Sequence, residues 1–262
     1  MNSFMQDMRA SMRERAFWAY AVWLDMITRY RRMRLGVVWL LMPPVAYVVG
    51  LGFLYGHMMN KDPAVFLPHL GFGYILWRFA IQTISEASDI YNVHKAFIMD
   101  GRVRLTDYIL RPFAKSLLYF VVGLLVVIVV CLFNPRVSWG DLGTLAISLP
   151  IFVLNIIWMA SLVAAIGARF RDTREVINTC LIFGFLLTPI LWDAALVPPD
   201  TVRGVVMRFN PFFHLIEFVR APALGMIPEA STVVVVLAMT VGGWLVASLV
   251  YRRYSRYIPL WV

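Results

Sequence analysis

Six stretches of this sequence are apolar for long enough to cross a lipid bilayer, and that pattern constrains the fold more than any motif does. A span needs about 20 mostly apolar residues to cover about 30 Å of hydrocarbon. Inside that layer the backbone must satisfy its own polar groups, so the chain is expected to be an all-α membrane protein with about six transmembrane helices. The blocks are 35–60, 63–85, 111–135, 142–168, 175–197 and 230–251. Leu35–Asn60 carries no charged residue, Pro63–Ser85 carries only Arg78, and the third block is uncharged from Ser116 onward. The fifth is short as Val176–Trp192 and continues past Asp193 to Val197. Hydrophobic residues make up 61% of the chain and charged ones 15%. Soluble domains run nearer half and a quarter, so a soluble reading is set aside. No repeat and no second domain is visible, and 1–262 reads as one membrane domain.

A net charge of +9 would suggest nucleic acid in a soluble protein. Here a topological reading is preferred and no nucleic-acid partner is expected, because cytoplasmic flanks of membrane helices collect Lys and Arg. With the N-terminus in the cytoplasm, that side holds Arg9, Arg13, Arg15, Arg29, Arg31, Arg32 and Arg34. It also holds Lys95, Arg102, Arg104, Arg111, Lys115, Arg169, Arg171, Arg174, Arg252, Arg253 and Arg256. The opposite side holds only Lys61, Arg136, Arg203, Arg208 and Arg220. Both termini are therefore expected in the cytoplasm. Residues 1–34 lack the compact apolar core of a cleavable signal peptide, so the first block is expected to direct insertion.

Two segments outside the spans are informative. In 3–33, Phe4, Met8, Met12, Ala16, Tyr20, Leu24 (or Trp23), Ile27 and Tyr30 recur every three or four residues. That is the pattern of an amphipathic helix lying on the cytoplasmic membrane surface, or packed on the bundle. Segment 198–228 contains Phe209, Phe212, Phe213, Leu215, Ile216, Phe218, Val219 and Leu224, yet Pro211, Pro222 and Pro228 interrupt it. It is too greasy for an external loop and too broken to span. A re-entrant helical hairpin before the last span is expected, with a helix in the outer headgroups as the alternative.

Chemistry is sparse. None of Lys61, Lys95 and Lys115 follows a glycine, so there is no phosphate-cradling Gly-Lys-Ser/Thr loop. His57, His69, His94 and His214 are scattered, and no metal or cofactor is expected in this chain. Asp62, Asp141, Asp193, Asp200, Glu217 and Glu229 form no compact acidic site in sequence, so a catalytic role has no support. Cys131 and Cys180 lie in apolar runs and read as core residues. Arg78 is the clear intramembrane charge. It is read as a contact for an anionic lipid phosphate or sugar, or as a partner of Glu86, or as snorkelling to the interface. One such charge makes no proton relay, and no inverted repeat is evident, which weakens a secondary-transporter reading.

Three stretches together resemble the ABC-2 type permease subunits that export O-antigen, capsular polysaccharide and teichoic acid. They are the basic lead into the first block (Arg29-Tyr30-Arg31-Arg32-Met33-Arg34-Leu35-Gly36-Val37-Val38-Trp39), the run Leu162-Val163-Ala164-Ala165-Ile166-Gly167-Ala168-Arg169-Phe170-Arg171-Asp172 leading to Leu187-Thr188-Pro189-Ile190-Leu191-Trp192, and the segment Phe209-Asn210-Pro211-Phe212-Phe213-His214-Leu215-Ile216-Glu217-Phe218-Val219-Arg220-Ala221-Pro222. The likeness runs from about Arg29 to Tyr251.

The resemblance implies a bacterial inner-membrane permease, a homodimer with a channel at its two-fold interface, and two copies of a separate ABC ATPase that bind Mg-ATP. Lipid-linked polysaccharide would be the substrate, among membrane lipids and with room for periplasmic accessory proteins. It further implies that 3–33 and about 89–107 contact the ATPase, with His94, Lys95, Arg102 and Arg104 as coupling residues. Asn210, Pro211, His214, Glu217 and Arg220 would belong to the re-entrant segment. Polysaccharide needs a lined path across lipid, and aromatic faces suit sugar rings. Tyr47, Tyr55, Trp77, Arg78, Trp158 and Trp192 are the expected lining, against the reading of the aromatics as packing or interfacial anchors. Arg29, Arg31, Arg32 and Arg34 are the candidates for receiving a lipid-carrier phosphate, or mark topology alone. Rival readings are an ABC-2 exporter of another amphiphile and a membrane enzyme of lipid-linked sugar assembly.

Overall fold

The computed structural model describes residues 4–100, 103–133, 142–194, 197–198 and 200–262. Among them every regular element is helical. Helices α1 (Phe4–Arg13) and α2 (Ala16–Arg31) precede a broken first block containing α3 (Met42–Val45) and α4 (Gly52–Met58). The long helix α5 (Pro63–Ala87) is followed by two short turns, α6 (Ile90–Val93) and α7 (Lys95–Met99). Then come α8 (Leu105–Leu132), α9 (Leu142–Arg169), α10 (Thr173–Leu187), α11 (Val202–Phe209), α12 (Pro211–Ala223), α13 (Ala230–Tyr254) and α14 (Ile258–Trp261).

Among the described residues four helices, α5, α8, α9 and α13, are long and apolar enough to cross a membrane. The other two apolar blocks take different forms. The first opens at Gly36, whose φ of 50° is a left-handed conformation that other residues avoid. It continues as a 3-10 turn over Gly36–Leu40, then α3, a wide π-type turn over Ala46–Leu51, and α4. Pro43 and Pro44 supply no backbone N–H, and Gly50 and Gly52 add little helix propensity, so no regular rod forms over 35–60. The fifth block's helix ends at Leu187 instead of reaching 197. Pro189 disfavours helical geometry at the residue before it, and Thr188 is extended at ψ 131°. Residues 195–196 at the end of that block lie outside the described residues. Cys131 is buried as expected, whereas Cys180 is exposed on α10.

Helix α5 is the centre of the bundle, packed by α4, α8, α9, α10 and α12. It starts sharply because the Asp62 carboxylate accepts from the Ala64 amide at 2.9 Å and Pro63 occupies the first turn. Small residues bring it close to α8. A Cβ at Gly71 would lie 2.9 Å from a Val127 methyl, and one at Gly123 would lie 2.9 Å from a methyl of Ile75. Phe79 packs edge-on against Phe113 and Phe120 from α8 and tilts against Phe152 from α9.

The expected single amphipathic element over 3–33 is two helices, interrupted at Glu14 and Arg15. Helix α1 buries Phe4, Met8 and Ser11 against α8 and α13, with Ser11 bonded to Thr106 at 2.6 Å. Helix α2 buries Val22, Met26 and Tyr30 against α8. Its Tyr20, Trp23, Leu24 and Ile27 are exposed on another face. Helix α2 is thus apolar on two sides, and only Phe4, Met8 and Tyr30 of the expected stripe face the bundle core.

Contacts gather the connecting segments at two ends. At one end Arg104 grips Glu14, Arg174 meets Asp89, Asn92 donates to the Gly167 carbonyl, and α14 packs on α7 and α9. At the other, Lys61 pairs with Asp193 at 3.0 Å and Arg208 with Glu229 at 3.1 Å.

Candidate functional site

Arg78 lies midway along the central helix and does not pair with Glu86. The Glu86 carboxylate accepts from Lys115 at 2.8 Å and from Gln82 at 3.3 Å. Arg78 donates instead to the hydroxyl of Tyr74, one turn earlier on the same helix, at 2.7 Å. Its guanidinium also lies 5.8 Å from the Tyr119 ring centroid, within cation–π range. A ladder extends both ways from this arginine. Tyr74 stacks on Tyr47, with ring centroids 4.4 Å apart and planes at 13°. Tyr119 shares a 3.1 Å hydroxyl contact with Tyr30, and Arg29 lies 5.9 Å from the Tyr30 ring. Burial first, then the Tyr119 hydrogen bond, pushes the Tyr30 hydroxyl up to about 12. It stays protonated at neutral pH and can donate.

One side of this ladder opens into a groove of about 510 Å³ between α5 and α10. Tyr47, Tyr74, Trp77 and Arg78 line it with Ile81, Gln82, Leu181 and Phe185. The walls are aromatic and aliphatic, with one cation and one amide. Such a surface binds ring faces by stacking and holds a single anion without a deep polar trap.

Of the expected lining, the fold brings Tyr47, Trp77 and Arg78 together. Tyr55 packs against the core beneath α4. Trp158 fills the contact between α9 and α13, donating to Asn155 Oδ1 at 2.9 Å, and its indole occupies the space a Cβ at Gly243 would need. Trp192 lies at the Lys61 end, its carbonyl oxygen 3.3 Å from His69 Nε2. Tyr30, Tyr74 and Tyr119 are site residues that the sequence reading misses. Tyr74 stands four residues before Arg78, a helical spacing that marks a neighbour. No spacing connects Tyr30 with Tyr119.

Arg29, Arg31, Arg32 and Arg34 are all exposed around the end of α2. His94 donates from Nδ1 to the Ile90 carbonyl at 2.9 Å, which leaves Nε2 to accept from Arg111. Arg111 also pairs with Asp25 of α2 at 2.7 Å. Burial is the main force holding His94 below its ordinary pKa, and the Arg111 charge adds to it. Arg104 holds both oxygens of Glu14, at 2.9 and 3.3 Å, and thereby keeps the Glu14 carboxyl below the usual carboxylate range. Lys95 is exposed, and Arg102 lies outside the described residues. Beside Lys95, Val93 and Phe97 expose 66% and 62% of their surface. This is a large apolar face at the end that gathers the basic connections.

The 210–220 residues are internal ties. Asn210 caps α12 by accepting from the Phe212 amide at 3.0 Å and donates to Thr188 at 2.8 Å, with Pro211 in the first turn. His214 lies 2.9 Å from Thr232 Oγ1 and 2.8 Å from the Arg208 carbonyl. Arg220, 1% exposed, donates to Glu217, to His69 and to the Pro189 carbonyl, the last at 2.7 Å.

Residues 17–224 match the sequence profile of the family described as ABC-2 type transporter. The chain is also similar to the O-antigen export system permease protein RfbA of Myxococcus xanthus, with 20% identity over 75% of this chain and 76% of that protein. The polysialic acid transport protein KpsM of Escherichia coli shares 20% identity over 77% of this chain and 79% of its own length.

Proposed function

Because the chain belongs to the ABC-2 type transporter family, we propose that it is the non-catalytic, membrane-spanning subunit of an ATP-driven exporter carrying lipid-linked polysaccharide out of the bacterial cytoplasm. The observation that carries this reading is the groove beside Arg78, whose guanidinium also lies over the ring of Tyr119, itself in hydroxyl contact with Tyr30 next to the exposed Arg29. A lipid-linked glycan combines an anionic phosphate, a greasy tail and stacked sugar rings. Arg29, Arg31, Arg32 and Arg34 receive the phosphate at the cytoplasmic end. Arg78 is the next cation along the ladder, and Tyr47, Tyr74 and Trp77 offer ring faces on which successive sugars stack and slide. Both similar proteins bear names that specify export or transport of a glycan, which favours polysaccharide over another amphiphile.

In this reading both termini face the cytoplasm, six passages cross the membrane with the broken first block and short α10 among them, and α11–α12 re-enter from outside. Two copies form the channel, each seated on a separate ATPase that binds Mg-ATP. Val93, Lys95 and Phe97 present an exposed face to the ATPase. His94 and Arg104 tie that face to α2 and α8 through Arg111–Asp25 and Arg104–Glu14, so that a push on it reaches α8, which packs on the lining helix α5. The proposal is tested by affinity purification from the native membrane and an ATPase assay on the product. Co-purification of an ATP-hydrolysing chain in equal amount supports it. A chain that purifies alone, stable and indifferent to nucleotide, overturns it.

A further inference from the structure

At the end of α13 the structure holds a second cationic site, away from the ladder. An open groove of about 1050 Å³ runs between the last turn of α9, the end of α13 and α14. Arg169, Arg252, Arg253 and Arg256 line it, and no carboxylate side chain is among its lining residues. None of the four is ion-paired among the described residues, although Arg104, Arg111, Arg174 and Arg208 all are. Three of them lie over rings. Arg256 lies 4.7 Å from the Tyr257 centroid and donates to its hydroxyl at 2.8 Å. Arg169 lies 5.8 Å from the Trp261 ring, and Arg253 5.8 Å from Tyr254. Aromatic faces orient guanidinium groups without neutralising them. Positive charge is therefore concentrated and fixed in direction.

We infer that this groove binds the phosphate headgroup of an anionic phospholipid of the bilayer. The composition of the walls selects a lipid over a soluble phosphate. Toward the membrane, the lining continues into Leu249, which is 66% exposed on the apolar body of α13. Toward water it ends in the arginines, with tyrosines and a tryptophan between. That order of apolar, aromatic and cationic surface follows the layers of a bilayer boundary. A headgroup phosphate bridges the arginines while its acyl chain lies along Leu249. A bound lipid would fasten α14 to the ends of α9 and α13, beside the exposed Val93 and Phe97 face. The leaflet, though not the site itself, rests on the orientation proposed above.

The test uses the full chain with whatever chains accompany it from the native membrane, reconstituted in nanodiscs containing phosphatidylglycerol or phosphatidylcholine of matched acyl chains. Lipid retained on the protein is counted by native mass spectrometry. The wild type should retain phosphatidylglycerol in preference. The triple variant R252Q/R253Q/R256Q should lose that preference by roughly a hundredfold, and the triple lysine variant should keep most of it. If the glutamine triple does not fold, R169Q approaches the same groove from α9 and should weaken retention in the same sense. Undiminished preference in both glutamine variants overturns the inference. So does equal competition by free glycerol phosphate, which would make this a soluble-phosphate site. Loss of an accompanying chain with unchanged lipid retention overturns it too, and marks a protein contact. Leu260→Cys, in a background without Cys131 and Cys180, separates the two readings. Labelling only from outside would overturn the orientation and the leaflet, whichever way the lipid count falls.

Discussion

The Arg78 guanidinium donates to the Tyr74 hydroxyl at 2.7 Å, while Glu86, the carboxylate two turns further along the same helix, is held by Lys115. The one charge within the second apolar block thus carries its positive charge at the edge of an aromatic groove. A hydrogen bond from a charged group is worth about 1.5–3 kcal/mol. Removing the contact proposed here between Arg78 and an anionic substrate should therefore slow the proposed export by about tenfold or more. R78Q should show that loss with normal abundance and assembly, and R78K a smaller one. Export equal to wild type in R78Q would remove Arg78 from the substrate path.

Arg220 is a clamp, and its removal should be felt as instability. It joins α12 to the Pro189 turn and to His69 of α5. Taking one partner from a buried pair costs about 3–5 kcal/mol, because the remaining charge is stranded. R220M should lower the thermal unfolding midpoint in detergent sharply. The double change R220M/E217L should cost less than R220M alone. If the double variant is the less stable of the two, the pair is not acting as a buried clamp.

The junction of α6, α7 and α8 should weaken in acid. His94 is held below its ordinary value of 6.5 by burial, so the folded chain resists a proton that the unfolded chain accepts. Its contribution is complete above about pH 6.5 and declines as the pH falls toward the folded value. A proton on Nε2 would also face Arg111. Hydrogen exchange over residues 90–99 should speed up, beyond the intrinsic rate change, between about pH 7.5 and 5.5 in the wild type. H94Q should show little of that acceleration. Equal responses would assign it to another group.

Glycines in this chain are not equivalent. A Cβ at Gly167 would collide with the Ser88 carbonyl oxygen, whereas one at Gly242 meets nothing within 4 Å. G167A must separate α9 from the turn after α5, at a cost of about 1–3 kcal/mol. G242A should be neutral or slightly stabilising. Thermal unfolding of the two single variants checks the contrast, and similar midpoints would contradict the close approach of Gly167.

Sequence alone carried the long apolar helices because run length is a local property. The helices around Ile75, Val126, Ile156 and Val236 run on through Pro68, Pro112, Pro150 and the Gly242-Gly243 pair, because long apolar runs on both sides of each hold the helix. It carried less where local chemistry opposed the apolar run. Pro43, Pro44, Gly50 and Gly52 fragment the first block, and Pro189 stops the fifth. Gly167 and Arg220 stood out within motifs, but their reasons, a carbonyl oxygen of Ser88 and one of Pro189, come from remote segments. The ladder is half legible. The sequence reading places Tyr47, Trp77 and Arg78 on the lining, while Trp158 belongs to helix packing and Tyr119 joins Tyr30 only through tertiary contact.

Export itself is the most direct test of the central claim. The coding sequence would be deleted in the native host, and the lipid-linked polymer inside the cell and on its surface quantified, with wild-type and R78Q chains supplied in trans. The account predicts that polymer accumulates inside on deletion, returns to the surface with the wild type, and returns slowly with R78Q. Unchanged surface polymer after deletion, with no lipid-linked glycan held inside, would contradict it.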